Sequence, residues 1–138
     1  MHWASKYVGL PYKGGGRTRD GLDCYGLLAL VMLEQFGIRL ETFDGLDGAV
    51  GEHDGEHAER VKSFWDDRVG SEWEALSLGD ETAGDAVNMI VYRRPHCGVV
   101  TGAGNMLHIR PGMDAVIEPY TRGWLCRRVE SIYRHRQR

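Results

Sequence analysis

Cysteine is scarce in this sequence of 138 residues, which contains three, at positions 24, 97 and 126. No two of them form a Cys-x-x-Cys pair, so a zinc site built on cysteine is not expected. Three scattered cysteines also make a poor disulfide framework. The sequence therefore predicts free thiols, at least one of which is reactive.

Long apolar runs are also missing. None approaches the length that crosses a bilayer, and the first six residues lack the basic-then-apolar layout of a secretory signal. We therefore expect a chain made in the cytoplasm, without a membrane span. Hydrophobic residues make up 42% of the sequence, enough for one folded domain that covers residues 1–138.

The charge is small in total and uneven in placement. The net charge is −3, but residues 41–85 hold fourteen Asp or Glu against three Lys or Arg. Residues 120–138 hold six Arg against one Glu. We interpret the first stretch as an acidic insertion. The second is typical of a solvated strand and tail rather than of a contact with nucleic acid, so no nucleic-acid partner is expected.

The pattern of apolar residues predicts helices first and strands afterwards. A short helix is expected at 2–9, a buried helix at 24–36 between the N-cap Asp23 and Gly37, and an amphipathic helix at 56–69. Short β-prone segments follow at 86–92, 98–101, 106–109, 115–118 and 125–133, separated by Gly and Pro. This order predicts an α+β fold in which helices pack on an antiparallel β-meander.

Cys24 stands at the start of the most apolar predicted helix. A thiol attacks a carbonyl group as the thiolate, and the first turn of a helix lowers the pKa of a cysteine. Gly26 leaves room there for a substrate, in this interpretation, and the Cys24 N–H group faces a developing oxyanion. The alternative is an inert core cysteine, because free cysteine is often buried.

Two histidines supply the groups that such a nucleophile needs. His96 begins one predicted strand and His108 ends the next, with a hairpin turn at 102–104 between them. A base must take the thiol proton, and a third polar group must orient that base. The alternative is that both are ordinary structural histidines.

Five short motifs occur in an order that resembles the NlpC-type cysteine peptidases, papain-like enzymes that cut cell-wall peptides. They extend from about residue 5 to residue 109. These motifs are Pro11-Tyr12 with the glycine loop, Asp23-Cys24-Tyr25-Gly26-Leu27, Gly84-Asp85, His96-x-Gly98-Val99-Val100 and Leu107-His108.

The resemblance implies a role for each matching catalytic residue. Cys24 matches the nucleophile, His96 the base and His108 the orienting residue of a catalytic triad. Tyr12 matches a tyrosine near the nucleophile, which supports the oxyanion. The implied substrate is a stem peptide of peptidoglycan, usually cut between γ-D-glutamate and a diamino acid.

Substrate-binding roles follow from the same resemblance. Asp23 matches an aspartate that helps to bind the free amine of the stem peptide. Tyr25 and Cys97 depart from the family, which commonly has serine and a β-branched residue there, and Tyr25 is expected to affect specificity. An aromatic residue at 25 and an acidic insertion resemble the branch in bacteriophage tails, which implies a location in the virion and tail-tip partners.

Two other functions remain open from the sequence. The fold could serve only for docking in tail assembly, or the triad could transfer an acyl group instead of hydrolysing. The pattern His53-x-x-Glu56-His57 matches one group of metallopeptidases, but Gly55 inside it disfavours the continuous helix that zinc binding needs. No metal or other cofactor is expected.

Overall fold

The computed structural model describes residues 2–41 and 65–138. In these two ranges, one long helix, α1 (Cys24–Phe36), packs on a six-stranded antiparallel sheet, which confirms the predicted α+β class. The side chain of Asp23 caps the helix by accepting from the Gly26 N–H group, and Gly37 ends it in the left-handed conformation. Within the described ranges, no helix is long and apolar enough to cross a membrane.

The strands of the described residues form one small and one large sheet. A two-residue hairpin precedes α1, and the remaining strands form the large sheet in the order β3-β8-β4-β5-β6-β7. The strands are β1 (Arg17–Thr18), β2 (Gly21–Leu22), β3 (Trp73–Leu76), β4 (Ala86–Val91), β5 (Arg94–Gly102), β6 (Asn105–His108), β7 (Val116–Pro119) and β8 (Val129–His135). Two 3₁₀ helices cover Trp3–Lys6 and Gly123–Arg128.

The predicted meander is confirmed in β4 to β7, including the turn at 102–104 between β5 and β6. Other predicted elements differ from the structure in type or bounds. Residues 2–9 contain only a short 3₁₀ helix, β1 to β3 were not expected, and β8 starts at Val129 because Gly123–Arg128 form a 3₁₀ helix. The sheet is also not a simple meander, since β8 lies between β3 and β4.

Of the acidic insertion at 41–85, the structure describes residue 41 and residues 65–85. Residues 65–68 are helical, which agrees with the end of the helix predicted at 56–69. The rest of that helix, residues 42–64 of the acidic stretch and the histidine pattern at 53–57 lie outside the described residues.

The sheet is buried on both faces. On one face, Leu27, Leu28 and Val31 of α1 pack with Val99 and Leu107 of the sheet. On the other face lies a second apolar cluster, composed of Val87, Met89, Val91, Val100, Met106, Tyr120, Leu125 and Ile132. Close packing on both faces holds β5 and β6 in place, and these are the strands that carry the predicted histidines.

The glycine loop before α1 packs directly on the first turn of the helix. A Cβ atom on Gly26 would lie 2.1 Å from the carbonyl oxygen of Gly16 and 3.1 Å from Asp23 Oδ1. The expectation that Gly26 leaves room for substrate was therefore wrong. Its missing side chain makes room for the protein's own loop, which holds the start of α1 in place.

We expect Gly26→Ala to destabilise the fold, although alanine normally favours a helix over glycine by about 1 kcal/mol. The added methyl group must displace the Gly16 carbonyl, so the melting temperature should fall by several degrees. Thermal unfolding followed by circular dichroism measures this. Leu33→Ala, at a position 39% exposed on the same helix, is the control, and an unchanged melting temperature of Gly26→Ala would contradict the packing argument.

Candidate active site

Cys24 is the first residue of α1 and is partly exposed. Its thiol lies within hydrogen-bonding contact of two neighbours on β5, His96 and Cys97. The unpaired N–H groups of the helix terminus favour negative charge at this place. The predicted nucleophile and the predicted base are therefore together.

The side chains of His96, His108 and Glu118 form a hydrogen-bonded series that begins at Cys24 and crosses neighbouring strands. His96 Nε2 lies 2.8 Å from His108 Nδ1, and His108 Nε2 lies 2.5 Å from Glu118 Oε1. The three residues stand on β5, β6 and β7 in turn. We call the series Cys24, His96, His108 and Glu118 the proton relay. The expected proximity of the two histidines is confirmed.

The protonation of the relay follows from His108. Burial, and then the charge of His96, lowers the pKa of His108 to about 4, so its ring is neutral at neutral pH and carries one proton. The Glu118 carboxylate only accepts, which assigns that proton to His108 Nε2. His108 Nδ1 then accepts from His96 Nε2–H. The remaining ring nitrogen of His96, Nδ1, is left for the Cys24 thiol.

The surroundings of Cys24 favour the thiolate. Hydrogen bonds from Cys97 and from His96 hold the pKa of Cys24 well below its ordinary value, against the opposing effect of burial. The same contact raises the pKa of Cys97 well above its ordinary value. Cys97 is therefore the thiol donor and Cys24 the thiolate acceptor. The sequence showed Cys97 only as a departure from the family, without this role.

Gly98 explains the spacing of the His-x-Gly motif. A Cβ atom at this position would lie 2.6 Å from the sulfur of Met106 and 3.3 Å from the Cβ of His108. Glycine thus lets β6 approach β5 closely enough for His108 to reach His96. The motif sets the distance between the two histidines.

Tyr12 lies beside the nucleophile. Burial, together with the nearby Cys24 and Asp23, raises the pKa of Tyr12 to about 12. Its hydroxyl group therefore stays protonated and is a hydrogen-bond donor near the thiol. This position suits the predicted support of an oxyanion, which stays a prediction.

Asp23 is buried and its carboxylate holds the glycine loop to the helix. It accepts from the N–H groups of Gly26 at 2.7 Å and Gly15 at 3.2 Å, and from Arg17 Nη1 at 2.8 Å. The sequence analysis predicted the helix cap, and the bonds to Gly15 and Arg17 add a second structural role, which is to hold the loop. Its predicted binding of a substrate amine stays a prediction.

Tyr25 contacts Glu41, the first residue of the acidic insertion. Its hydroxyl group donates to the carbonyl oxygen of Glu41, and the Glu41 side chain forms an ion pair with Arg68. The Arg17 guanidinium lies 5.2 Å from the centre of the Tyr25 ring. The predicted role of Tyr25 in specificity is not tested by these contacts.

Glu118 is the member of the relay that the sequence analysis missed. In the pairing of β6 with β7, His108 lies opposite Val116. Glu118 is two residues further along β7, so its side chain is on the same face and reaches His108 diagonally. The available signal was a lone glutamate in the strand predicted at 115–118. Choosing it requires the register between two strands, which a sequence does not specify.

Comparison with family models matches residues 9–133 to the NlpC/P60 family. No protein of curated function matches the chain by sequence. The solved NlpC/p60 domain of the peptidoglycan hydrolase SagA has a TM-score of 0.64 at 20% identity, over 95% of this chain and 92% of that one.

Two further solved structures resemble the chain. An NlpC/P60 family protein from Bacillus cereus has a TM-score of 0.66 at 20% identity, over 96% of this chain and 37% of that one. NlpC2 from Trichomonas vaginalis has a TM-score of 0.62 at 15% identity, over 95% of this chain and 45% of that one. These likenesses show a shared fold, and the chain spans less than half of these two proteins.

Replacing Glu118 tests the relay. Glu118→Leu removes the acceptor of the His108 Nε2 proton, so His108 can adopt the other tautomer and no longer accepts from His96. We expect alkylation of Cys24 by iodoacetamide at neutral pH to slow several-fold, as measured by mass spectrometry of the labelled peptide. Glu118→Gln, which retains an acceptor oxygen, should lie between Leu and the parent. Equal rates in the parent and in Glu118→Leu would show that Glu118 has no part in the relay.

Replacing Cys97 tests the second donor to the thiolate. Cys97→Val removes one hydrogen bond to ionised Cys24, so the pKa of Cys24 should rise toward its ordinary value. The rate of Cys24 alkylation falls as the pH drops through that pKa, so the midpoint of its pH profile should move to higher pH. Cys126→Ala, at an exposed cysteine, is the control and should leave the profile unchanged. A profile for Cys97→Val that matches the parent would exclude the Cys97 thiol as a donor.

Proposed function

Since the chain belongs to the NlpC/P60 family, we propose that it is a cysteine peptidase that hydrolyses an amide bond in the stem peptides of peptidoglycan. The observation that carries the proposal is the proton relay, in which a thiol at a helix terminus meets a histidine oriented by a second histidine. The similarity to the domain of a peptidoglycan hydrolase supports the choice of substrate.

The geometry supports a two-step reaction. The Cys24 thiolate attacks the amide carbon, while the Cys24 N–H group and the Tyr12 hydroxyl group donate to the oxyanion. As the tetrahedral intermediate collapses, protonated His96 gives its proton to the leaving amine, and an acyl thioester remains on Cys24. Neutral His96 then takes a proton from water, which attacks the thioester and releases the acid.

His108 and Glu118 keep His96 in place through both steps. The Nε2–H group of His96 is held by His108 at 2.8 Å, so Nδ1 is the nitrogen that exchanges protons with thiol, amine and water. His108 itself stays neutral, because burial and the charge of His96 lower its pKa. His108 therefore orients the base without itself becoming charged.

The finer details of the proposal derive from the family resemblance. The bond cut is the one between γ-D-glutamate and a diamino acid, with Asp23 and Tyr25 on the substrate side of the nucleophile. The site of action is the cell wall, reached as part of a phage tail and alongside other tail-tip proteins. The motif at residues 23–27 and the acidic stretch at 41–85 support this location.

Replacing the nucleophile tests the reaction. Purified Cys24→Ala should release no cleaved muropeptide from peptidoglycan sacculi, because the thioester cannot form. Cys126→Ala should cleave like the parent, and chromatography with mass spectrometry of the soluble products measures both. Adding a primary amine separates hydrolysis from acyl transfer, since transfer gives an amide product. Unchanged cleavage by Cys24→Ala would refute the proposal, and an inactive but well-folded parent would favour a docking role.

A further inference from the structure

Two of the three cysteines lie together at the candidate active site. Cys97 belongs to the buried apolar cluster between α1 and the sheet, and Cys24 packs against the same cluster from the first turn of the helix. Their side chains are within hydrogen-bonding contact of each other. Cys97 thus brings a second sulfur atom directly to the predicted nucleophile.

The third cysteine is on the opposite side of the sheet. Cys126 lies on the 3₁₀ helix Gly123–Arg128 and is exposed. The neighbouring Leu125 belongs to the second apolar cluster, on the face of the sheet that α1 does not cover. The sheet therefore separates Cys126 from the other two cysteines, and Cys24 and Cys97 are the pair whose sulfur atoms can react with each other in the folded chain.

The two thiols differ in their exposure and in their readiness to react. Cys24 is partly exposed, and hydrogen bonds from Cys97 and His96 favour its thiolate by lowering its pKa. An accessible thiolate is the form of cysteine that peroxides oxidise. Cys97 is buried, and the neighbouring Cys24 raises the pKa of its thiol. An oxidant from solvent therefore reacts at Cys24 first.

Oxidation of Cys24 changes the state of Cys97. When the Cys24 sulfur becomes a sulfenic acid, it no longer carries the thiolate charge that raises the pKa of Cys97. The Cys97 thiol then ionises more easily, while its sulfur already contacts the sulfur it would attack. A sulfenic acid with a thiol beside it condenses to a disulfide, which protects it from irreversible oxidation to the sulfinic acid.

We propose that Cys24 and Cys97 form a site of reversible oxidation, at which a hydroperoxide converts the two thiols into a disulfide bond and a small thiol restores them. Amide hydrolysis stops while the disulfide is present, because Cys24 is the nucleophile of the proposed reaction. That consequence rests on the proposed function, whereas the pairing of the two thiols does not.

The oxidation has two steps. The Cys24 thiolate attacks one oxygen of hydrogen peroxide, the O–O bond breaks, and the hydroxide that leaves takes the proton that Cys24 had given to His96. The Cys97 sulfur then attacks the Cys24 sulfur, the S–O bond breaks, and the hydroxyl group leaves with the Cys97 proton as water. Two thiols and one peroxide thus give one disulfide and two water molecules, with sulfur oxidised and the peroxide reduced.

Reduction begins at the accessible sulfur. A small thiol attacks the Cys24 side of the disulfide and releases Cys97, because Cys24 is partly exposed and Cys97 is buried. A second small thiol attacks the mixed disulfide on Cys24, which leaves as the thiolate, and the reductant departs as its own disulfide. Both cysteines are then as they were before oxidation.

Peroxide treatment of the full-length Cys126→Ala protein tests the site without any measurement of cleavage. After a small excess of hydrogen peroxide, the remaining thiols are blocked with iodoacetamide and the peptides are analysed by mass spectrometry. We expect the peptide containing Cys24 to be linked to the peptide containing Cys97. Dithiothreitol should separate them and restore the labelling of Cys24 by iodoacetamide.

Two comparisons separate the proposed site from general thiol oxidation. Cys97→Ser keeps a donor beside the Cys24 thiolate but cannot form the disulfide, so Cys24 should proceed to the sulfinic acid and its recovery by dithiothreitol should fall several-fold. In the parent chain unfolded in urea before oxidation, pairing of Cys97 with Cys126 should exceed pairing of Cys97 with Cys24. The segment between Cys97 and Cys126 is the shorter one, so closing it costs less entropy.

The outcomes are distinct from those of the proposed function. Absence of a disulfide between Cys24 and Cys97 in the folded Cys126→Ala protein refutes the site, whether or not Cys97→Ser folds. Equal recovery of Cys24 in Cys97→Ser and in its parent refutes it as well. If the disulfide forms and is reduced as expected but the reduced chain cuts no peptidoglycan, the oxidation site stands and the proposed hydrolysis falls.

Discussion

The packing of α1 on β5 is the contact on which the site depends. The helix is apolar nearly all round, so it is stable only when it is buried, and the sheet face that covers it includes β5. Its first turn is positioned by the Asp23 carboxylate and by the Gly16 carbonyl packed on Gly26. This arrangement places the Cys24 sulfur against two consecutive residues of β5. The predicted nucleophile is thus positioned by core packing and by the glycine loop that packs on the helix start.

The remainder of the relay depends on strand register. His96, His108 and Glu118 stand on three neighbouring strands, and a slip of one residue would turn each side chain to the opposite face of the sheet. Gly98 permits the close approach of β6, and pairing continues through a register shift between Val100 and Gly102. Burial of both sheet faces resists such a slip, so the apolar clusters also maintain the geometry of the polar groups.

The sequence predicted the parts that are encoded locally. The cap at Asp23, the apolar run of α1 and the ordered motifs identified Cys24, His96 and His108. Glu118 and the donor role of Cys97 depend on pairing between distant segments, which no local pattern specifies. The pattern predicts a break at Pro95, between the β-prone segments 86–92 and 98–101, yet Pro95 lies within β5 opposite Ile90. It is tolerated because β6 pairs only with the later part of β5, leaving Pro95 on a locally open edge.

In the proposed reaction, Cys97 would ease a conflict between two requirements placed on His96. Cysteine peptidases need a charged histidine to stabilise the thiolate before attack, and a neutral histidine to deprotonate water afterwards. A neutral S–H donor from Cys97 stabilises the Cys24 thiolate whichever charge His96 carries. Valine or isoleucine at this position would offer no such donor. The departure from the family at residue 97 therefore shifts part of the stabilisation of the thiolate from a titrating group to one that stays protonated, since the pKa of Cys97 is itself raised by the thiolate it serves.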